Sequence, residues 1–261
     1  PFLSNREGRS FDPGYNLFVE GTFDFRLSSF ALLSAQARWR HGGDTHNAGQ
    51  IALRNVYLKM HLRGIELQAG RDNLAWGHGF SGSMGLNNNS QPFDFFKLSN
   101  LNPYHLPWLL NHLGPIKSTV FLARLDKDRT DFPNPSLFGL SLNATPRPWL
   151  EIGLHRWMLF RGKGSTDAGF KYFIADFFFR LGTPPNRSAI NNASELDLRF
   201  RLPYSGGMHL YANVYWEDSN ILDNFPFLPT KLERDTASMF GMSIPNLLTK
   251  GRLGLQAEHV R

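Results

Sequence analysis

The sequence predicts an all-β protein, an antiparallel up-and-down transmembrane β-barrel, and three observations support this class. Stretches throughout the chain alternate polar and apolar residues with the period of two that a β-strand requires. Short turns join several of these stretches, which is typical of a meander. Aromatic residues make up 14% of the chain although the mean hydropathy is −0.32, as expected for a barrel with a wet interior and aromatic girdles. A soluble all-β domain with an aromatic core would show the same composition.

The clearest alternation runs from Glu195 to Glu217. Charged residues occupy every second position along its first half, and His209, Asn213 and two tyrosines do so along its second half. The interleaved positions are apolar: Leu196, Leu198, Phe200, Leu202, Met208, Leu210, Ala212, Val214 and Trp216. A glycine pair at 206–207 interrupts the pattern and predicts the turn of a β-hairpin. Because the polar face carries both carboxylates and arginines, we expect it to line a polar barrel interior.

The same pattern predicts further strands along the chain, about eleven in all. They cover residues 15–26, 30–40, 50–63, 65–72, 116–125, 136–143, 149–161, 236–244 and 252–260. Two segments interrupt the rhythm. Residues 70–115 contain a glycine-rich bend and a long loop, with a short helix at 104–113, and the phenylalanine-rich residues 165–182 predict a short amphipathic helix or a loop insert. No linker divides the chain, so we expect a single β-barrel domain over residues 1–261, incomplete at both ends.

The composition argues against several classes of site. The chain has no cysteine, which excludes disulfides and cysteine-based metal sites. No run of about 18 apolar residues is present, so no transmembrane helix is predicted. The net charge is +6, but the basic residues are spread over many strands without a basic run, so nucleic acid is not an expected partner. The adjacent pair Glu217-Asp218 is weak support for a metal because neighbours on a strand point apart. We predict no metal and no cofactor.

An enzymatic function is not predicted. Glu195 and Asp197 share a strand face at roughly the spacing of the carboxylates in a retaining glycosidase. Arg199 and Arg201 on the same face would keep both carboxylates ionised, whereas a general acid needs a raised pKa. This arrangement therefore indicates a structural ladder of charges. No serine-hydrolase, zinc-protease or nucleotide-binding motif is present.

Two clusters are candidates for contact with a ligand. An indole ring offers a wide apolar face to the C–H groups of a sugar, and a guanidinium supplies a planar fork of donors for carboxylates. The candidate ligand-binding residues are Arg71, Asp72, Trp76, His78, Trp157 and Arg161. Trp157 is placed on the polar face of its strand. For the first cluster two alternatives stay open: the Arg71–Asp72 pair pins the barrel rim, and Trp76 belongs to an interfacial girdle.

Short motifs follow one another in order along the chain. They are Gly70-Arg71-Asp72, Trp76-Gly77-His78-Gly79, Leu113-Gly114-Pro115, Pro146-Arg147-Pro148-Trp149-Leu150-Glu151-Ile152-Gly153 with His155-Arg156, and Tyr215-Trp216-Glu217-Asp218. As an ordered set they resemble the capsule-assembly Wzi family of outer-membrane proteins. The resemblance implies a large antiparallel barrel in the outer membrane of a Gram-negative bacterium, with helices or loops closing its lumen, of which this chain would supply the N-terminal part. It also implies a lectin-like role in holding polysaccharide at the cell surface, without catalysis.

The leading hypothesis is a non-enzymatic barrel that binds and retains capsular or other extracellular polysaccharide. Its expected partners are that polysaccharide and outer-membrane lipid, and a monomer is the expected oligomeric state. The alternative is an outer-membrane porin or channel for anionic solutes, which the basic charge and the polar face favour. We expect the insert 165–182 and the loop 80–115 to fill the lumen, which opposes an open channel.

Overall fold

The computed structural model describes residues 9, 11, 13–42, 49–79, 82–87, 89–127, 129–167, 169–179, 189–203, 206–217, 236–246 and 253–261. Within these residues the chain forms one sheet of twelve strands, paired in the order of the sequence. Every pair is antiparallel. The predicted up-and-down meander is confirmed. In this part of the chain no helix has the length and apolar character needed to cross a membrane.

The strands are β1 Asn16–Ser28, β2 Ala31–Gly42, β3 Gln50–Leu62, β4 Ile65–Asp72, β5 Phe93–Asn100, β6 Ile116–Arg124, β7 Ser136–Arg147, β8 Leu150–Phe160, β9 Asn191–Arg201, β10 His209–Glu217, β11 Thr236–Ile244 and β12 Leu255–Val260. A 3-10 helix occupies Trp108–Leu113 and an α-helix, α1, occupies Gly169–Phe179. The 3-10 helix lies inside the short helix predicted at 104–113, and α1 lies inside residues 165–182, for which the sequence predicts a short amphipathic helix or a loop insert. Connections after odd-numbered strands include two-residue turns such as Arg63-Gly64, where both φ angles are positive, as this type of tight hairpin requires.

The sheet has two chemically distinct faces, because successive side chains of a strand point in opposite directions. We call one the polar face; it carries Glu20, Arg38, Gln68, His155, Glu195, Asp197 and Asn213. The other, the apolar face, carries large exposed side chains that include Leu17, Val19, Phe23, Phe25, Leu53, Phe96, Leu122, Leu154 and Phe240. The predicted β9–β10 hairpin is confirmed in register, with Glu195 opposite Tyr215 and Asp197 opposite Asn213.

Strand β5 corrects the sequence prediction, which places residues 93–100 in a long loop. The strand pairs with β4 over its whole length and with β6 over residues 94–99. The sequence pattern does not reveal this strand, because Phe95 and Lys97 share the polar face while Asp94 lies on the apolar face beside Arg124. Alternation of polar and apolar residues is therefore absent from a strand whose aromatic side chains pack inward.

The buried core lies on the polar face. Residues 73–79 and 82–87, which we call the inner loop, leave the end of β4 and cross this face. The core residues come from this loop and from strands β5 to β9: Leu74, Trp76, Phe95, Phe121, Ala123, Leu137, Trp157 and Ala193. The Trp76 ring packs edge-on against Phe121, with ring centroids 5.3 Å apart, and 6.2 Å from Trp157. Part of the segment expected to fill the lumen thus does cover the polar face.

Helix α1 lies on the opposite face from the one predicted. Its Phe173 and Phe177 rings pack on Phe138, with centroids 5.3 and 4.9 Å away, and Phe173 also packs on Phe160. Phe138 follows Leu137 of the buried core in β7, so its side chain points to the apolar face. The expectation that the insert 165–182 fills the lumen is wrong for α1, because its phenylalanines find their apolar partners outside the polar face.

Candidate functional site

A chain of hydrogen bonds crosses four strands on the polar face. The Ser141 hydroxyl lies 2.8 Å from His155 Nδ1, and His155 Nε2 lies 2.6 Å from Asp197 Oδ2. Asn213 donates to Asp197 and, at 2.7 Å, to Glu195 Oε1. These five side chains are at most 1% exposed. Each side chain of this buried network contacts another, and Asn213 Oδ1 is the one side-chain oxygen of the five residues without a hydrogen-bond partner among the described residues.

Gly153 makes the diagonal contact between His155 and Asp197 possible. Register places Gly153 directly opposite Asp197, while His155 stands opposite Glu195. A Cβ atom at Gly153 would lie 2.9 Å from His155 Nε2 and 3.1 Å from the Asp197 Cβ. The missing side chain therefore leaves the space through which the imidazole reaches the carboxylate one pair along the ladder.

The Ser141–His155–Asp197 order matches the bonding of a hydrolase triad, but its surroundings do not. The Trp76 ring stacks on the His155 ring, with centroids 5.3 Å apart. The serine hydroxyl is 1% exposed and also accepts a hydrogen bond from the Asn143 amide at 3.0 Å. A nucleophile needs room for a reacting carbonyl, and none is left here. The geometry indicates a structural network that supports the inner loop.

Glu195 ties the inner loop to the sheet. The Gly85 backbone N–H donates to Glu195 Oε2 at 3.1 Å, and the Trp76 N–H donates to the Leu86 carbonyl at 2.9 Å. A Cβ atom at Gly85 would lie 1.9 Å from the Trp157 ring. Close approach of backbone to an indole explains why glycine stands at this point of the loop.

The predicted ladder of charges on β9 pairs differently from the expectation. Arg199 contacts Glu151 of β8, and Arg201 lies 3.7 Å from the same carboxylate. Asp197 takes His155 as its partner, and Glu195 takes the amide of Asn213 and the backbone of Gly85. Side chains of neighbouring strands are closer than side chains two residues apart on one strand, so cross-strand partners win.

Arg71 and Asp72 do not form a pair. Arg71 points to the apolar face and makes two 2.9 Å hydrogen bonds with Asp94, its register partner at the exposed end of β4. Asp72 points to the polar face and accepts hydrogen bonds from Asn55 at 2.9 Å and Gln68 at 2.7 Å. Because adjacent strand residues face apart, only Asp72 stays on the side of the other candidate residues.

The remaining candidates are partly brought together. Trp76 and Trp157 meet in the core, and Trp157 also stacks on Tyr215 with centroids 5.8 Å apart. His78 lies in the inner loop, with Nε2 4.0 Å from Glu151. Arg161 follows the end of β8, is exposed, and lies 3.7 Å from Asp167. Trp157 and Arg161, predicted as one cluster, are therefore separated.

A pocket of about 380 Å³ opens between the inner loop and the ends of β7 and β8. Its lining includes Trp76, His78, Lys117, Asn143, Glu151 and His155. Burial, followed by the charge of Arg199, lowers the pKa of His78 and so favours its neutral imidazole. The pocket thus combines an indole, an exposed lysine, an amide and a carboxylate. Within the described ranges, His, Asp and Glu side chains form no group of three able to hold a metal ion.

Most pocket residues are missing from the predicted site, and Lys117, Asn143 and Glu151 are among them. Lys117 stands opposite Asn143 in register, and both belong to segments predicted as strands. Their phase in the alternation places them on the polar face, which was the available signal. The alternation does not indicate where the inner loop lies. The pocket exists because this loop lies over a row of polar side chains.

The family model for Capsule assembly protein Wzi matches residues 1–261 of the chain. Among solved structures, Wzi of Escherichia coli aligns with a TM-score of 0.69 and 18% identity, covering 92% of this chain and 49% of that one. That protein is described as a carbohydrate-binding outer-membrane β-barrel involved in group 1 capsule assembly. OmpT of Vibrio cholerae aligns with a TM-score of 0.42 and 9% identity, covering 94% of this chain and 86% of that one. No curated protein matches.

The similarity to the E. coli structure shows the fold, and the chain spans about half the length of that relative. The match to the family model covers every residue of the chain. The predicted resemblance is confirmed: the chain belongs to the Wzi capsule-assembly family.

Proposed function

We propose that the chain forms part of an outer-membrane barrel that binds and retains capsular or other extracellular polysaccharide without chemical conversion. The observation that carries this proposal is the pocket on the polar face, where the Trp76 indole stands beside the polar groups of Lys117, Asn143 and Glu151. Sugars combine apolar C–H faces with hydroxyl groups, so they are bound by aromatic rings flanked by hydrogen-bonding side chains. Family membership supports the same function.

The location in the outer membrane follows from the two faces of the sheet. Large exposed hydrophobic side chains cover the apolar face, while the opposite face buries charged and amide groups. This distribution suits strands that contact lipid on one side and a wet interior on the other. Lipid is therefore a proposed partner, and we propose a monomer.

The inner loop bears on the porin alternative. It crosses the polar face and is held there by Glu195 and by the aromatic core. A general porin needs an unobstructed passage, whereas this segment occupies the face that would line one. The observation favours polysaccharide binding over conduction.

A lysine substitution tests the polysaccharide site. Lys117→Gln removes the exposed cation of the pocket, and we expect about a three- to tenfold weaker binding of an acidic polysaccharide, the loss of one charge-assisted contact. Lys127→Gln removes an exposed lysine in the β6–β7 connection, one of the long connections at the opposite, extracellular end of the sheet, and serves as the control that distinguishes the pocket from a sugar site at that end. The measurement is polymer retention on cells and binding by the isolated intact protein. Weaker binding in the control alone would place the sugar site at that other end and reject the pocket.

A further inference from the structure

Polar residues interrupt the apolar face where β8 meets β9. Arg156 stands opposite Ser194, and Met158 stands opposite Asn192, all on the face that elsewhere carries leucines and phenylalanines. Arg156, Asn192 and Ser194 are nevertheless 6% exposed or less. A polar group facing lipid without a partner costs several kcal/mol, so a barrel wall cannot leave these groups bare.

Helix α1 supplies partners for Arg156 and Asn192. Arg156 Nη2 donates to the Asp176 carbonyl at 3.2 Å, and the Asn192 amide donates to the Asp176 carboxylate at 2.6 Å. Arg156 Nη1 also donates to the Ser194 hydroxyl at 3.0 Å. The guanidinium carbon lies 5.6 Å from the centre of the Phe177 ring, within the range of a cation–π contact. The helix thereby covers Arg156, Asn192 and Ser194, which we call the polar seam of the apolar face.

The outward side of α1 continues the apolar face. Phe170 is 76% exposed and Phe178 is 48% exposed, comparable to the wall residue Leu154 at 39%. Lys171 is also exposed, and a lysine beside aromatic residues is typical of helices that lie at a membrane interface. Helix α1 belongs to the β8–β9 connection, one of the long connections that follow even-numbered strands. Long connections of bacterial outer-membrane barrels are on the extracellular side.

We propose that α1 is docked on the outside of the barrel wall and lies in the outer leaflet, where Phe170 and Phe178 contact the acyl chains of lipid. The proposal rests on the membrane location proposed above. Continuity with the exposed apolar face selects lipid as the occupant, because the same solvent must cover the wall and the helix that extends it. In this arrangement the lipid and the helix together keep water and lipid headgroups away from the polar seam.

Single cysteines test the proposal, since the chain has none of its own. Spin labels are attached at Phe170→Cys and Phe178→Cys in the intact protein, reconstituted in phospholipid vesicles. Leu154→Cys reports the wall, and Lys163→Cys reports the exposed part of the same connection. We expect labels at 170 and 178 to match the label at 154, with high accessibility to oxygen and several-fold lower accessibility to a water-soluble nickel chelate than at 163. Because Phe170 is so exposed, its variant leaves the fold intact even if Phe178→Cys does not.

Four outcomes overturn the proposal. If the labels at 170 and 178 are accessible to the nickel chelate while the label at 154 is accessible to oxygen, α1 lies in water although the barrel is in the membrane. Strong spin–spin broadening at 170 would identify a second copy as the occupant, and protection from nickel only after polysaccharide is added would identify the polymer. Nickel access at 154 as well would reject the membrane barrel itself, and the proposal for α1 with it.

Discussion

The inner loop and helix α1 cover opposite faces of strands β7, β8 and β9 by different physical means. The loop approaches the sheet closely at Gly85 and is held by the buried Glu195 carboxylate, which accepts from the Gly85 backbone N–H. The helix is held by edge-to-face packing of its phenylalanines on Phe138 and by Arg156, which donates to the Asp176 carbonyl. On the polar face most polar contacts lie within the sheet, and the loop adds one donor for Glu195. The apolar face has isolated polar residues that depend on their cover.

The largest expected effect concerns the network beneath the loop. Asp197→Ala removes the partner of His155 Nε2 and one of the two acceptors of Asn213 in a site that is fully buried, and we expect a loss of about 3–5 kcal/mol in the free energy of unfolding. Urea unfolding of the intact protein in vesicles, followed by gel mobility of the folded form, measures this. Asp94→Ala is the control, because its ion pair with Arg71 is exposed and contributes at most about 1 kcal/mol. Equal losses in the two variants would show that the network adds no stability.

The close approach of the loop is tested by Gly85→Ala. The added methyl group would meet the Trp157 ring at 1.9 Å, so we expect about 1–3 kcal/mol of overpacking and displacement of the inner loop. In planar bilayers the intact variant should conduct ions better than the unaltered protein. Gly21→Ala is the control, since its new methyl group would lie 3.6 Å from Phe23, an ordinary contact. Unchanged conductance would mean that the loop does not limit the passage.

The contact between α1 and the polar seam of the apolar face is tested by Asp176→Ala. The Asn192 amide loses its acceptor, and we expect about 1–3 kcal/mol of destabilisation. Because Lys171 lies in α1, loosening of the helix should also speed tryptic cleavage there. Asp24→Ala, an exposed residue of β1, should leave both readouts unchanged. A stable helix in Asp176→Ala would show that the phenylalanine contacts alone hold α1.

The smallest effect is a pH dependence of the loop. Burial lowers the pKa of His78, whereas in the unfolded chain it returns to its ordinary value of 6.5. The unfolded chain therefore binds more protons just below pH 6.5, and stability falls as the pH drops through that region, by no more than about 1 kcal/mol at pH 6. Arg199, Glu151, Asp197 and His155 act on the same imidazole. His78→Gln should flatten the pH profile of urea unfolding, and His112→Gln, in the exposed 3-10 helix, should not. A profile unchanged by His78→Gln would assign the pH response to other groups.

The comparison also separates what could be predicted of the candidate site from what could not. The polar face of β9 and β10 was predictable because alternation is a local property of a strand. The positions of Lys117 and Asn143 on that face follow from the same alternation. Their gathering into a pocket was not predictable, since it depends on where the inner loop lies. Strand geometry alone predicts that Arg71 and Asp72 point to opposite faces. The partner of Arg71, Asp94, could not be predicted because it belongs to β5, whose sequence does not alternate.

The sequence by itself determined the class of fold, the two-faced strands and the order of the meander, and it limited residues 165–182 to a short amphipathic helix or a loop insert, since these depend on residues near one another in the chain. Only the tertiary structure decided that the inner loop covers the polar face while α1 covers the apolar one. It also decided that His155 reaches Asp197 past Gly153, and that Glu195 holds the backbone of a loop 110 residues away. Contacts between side chains of different strands depend on their distance in space, and a one-dimensional pattern does not contain that distance.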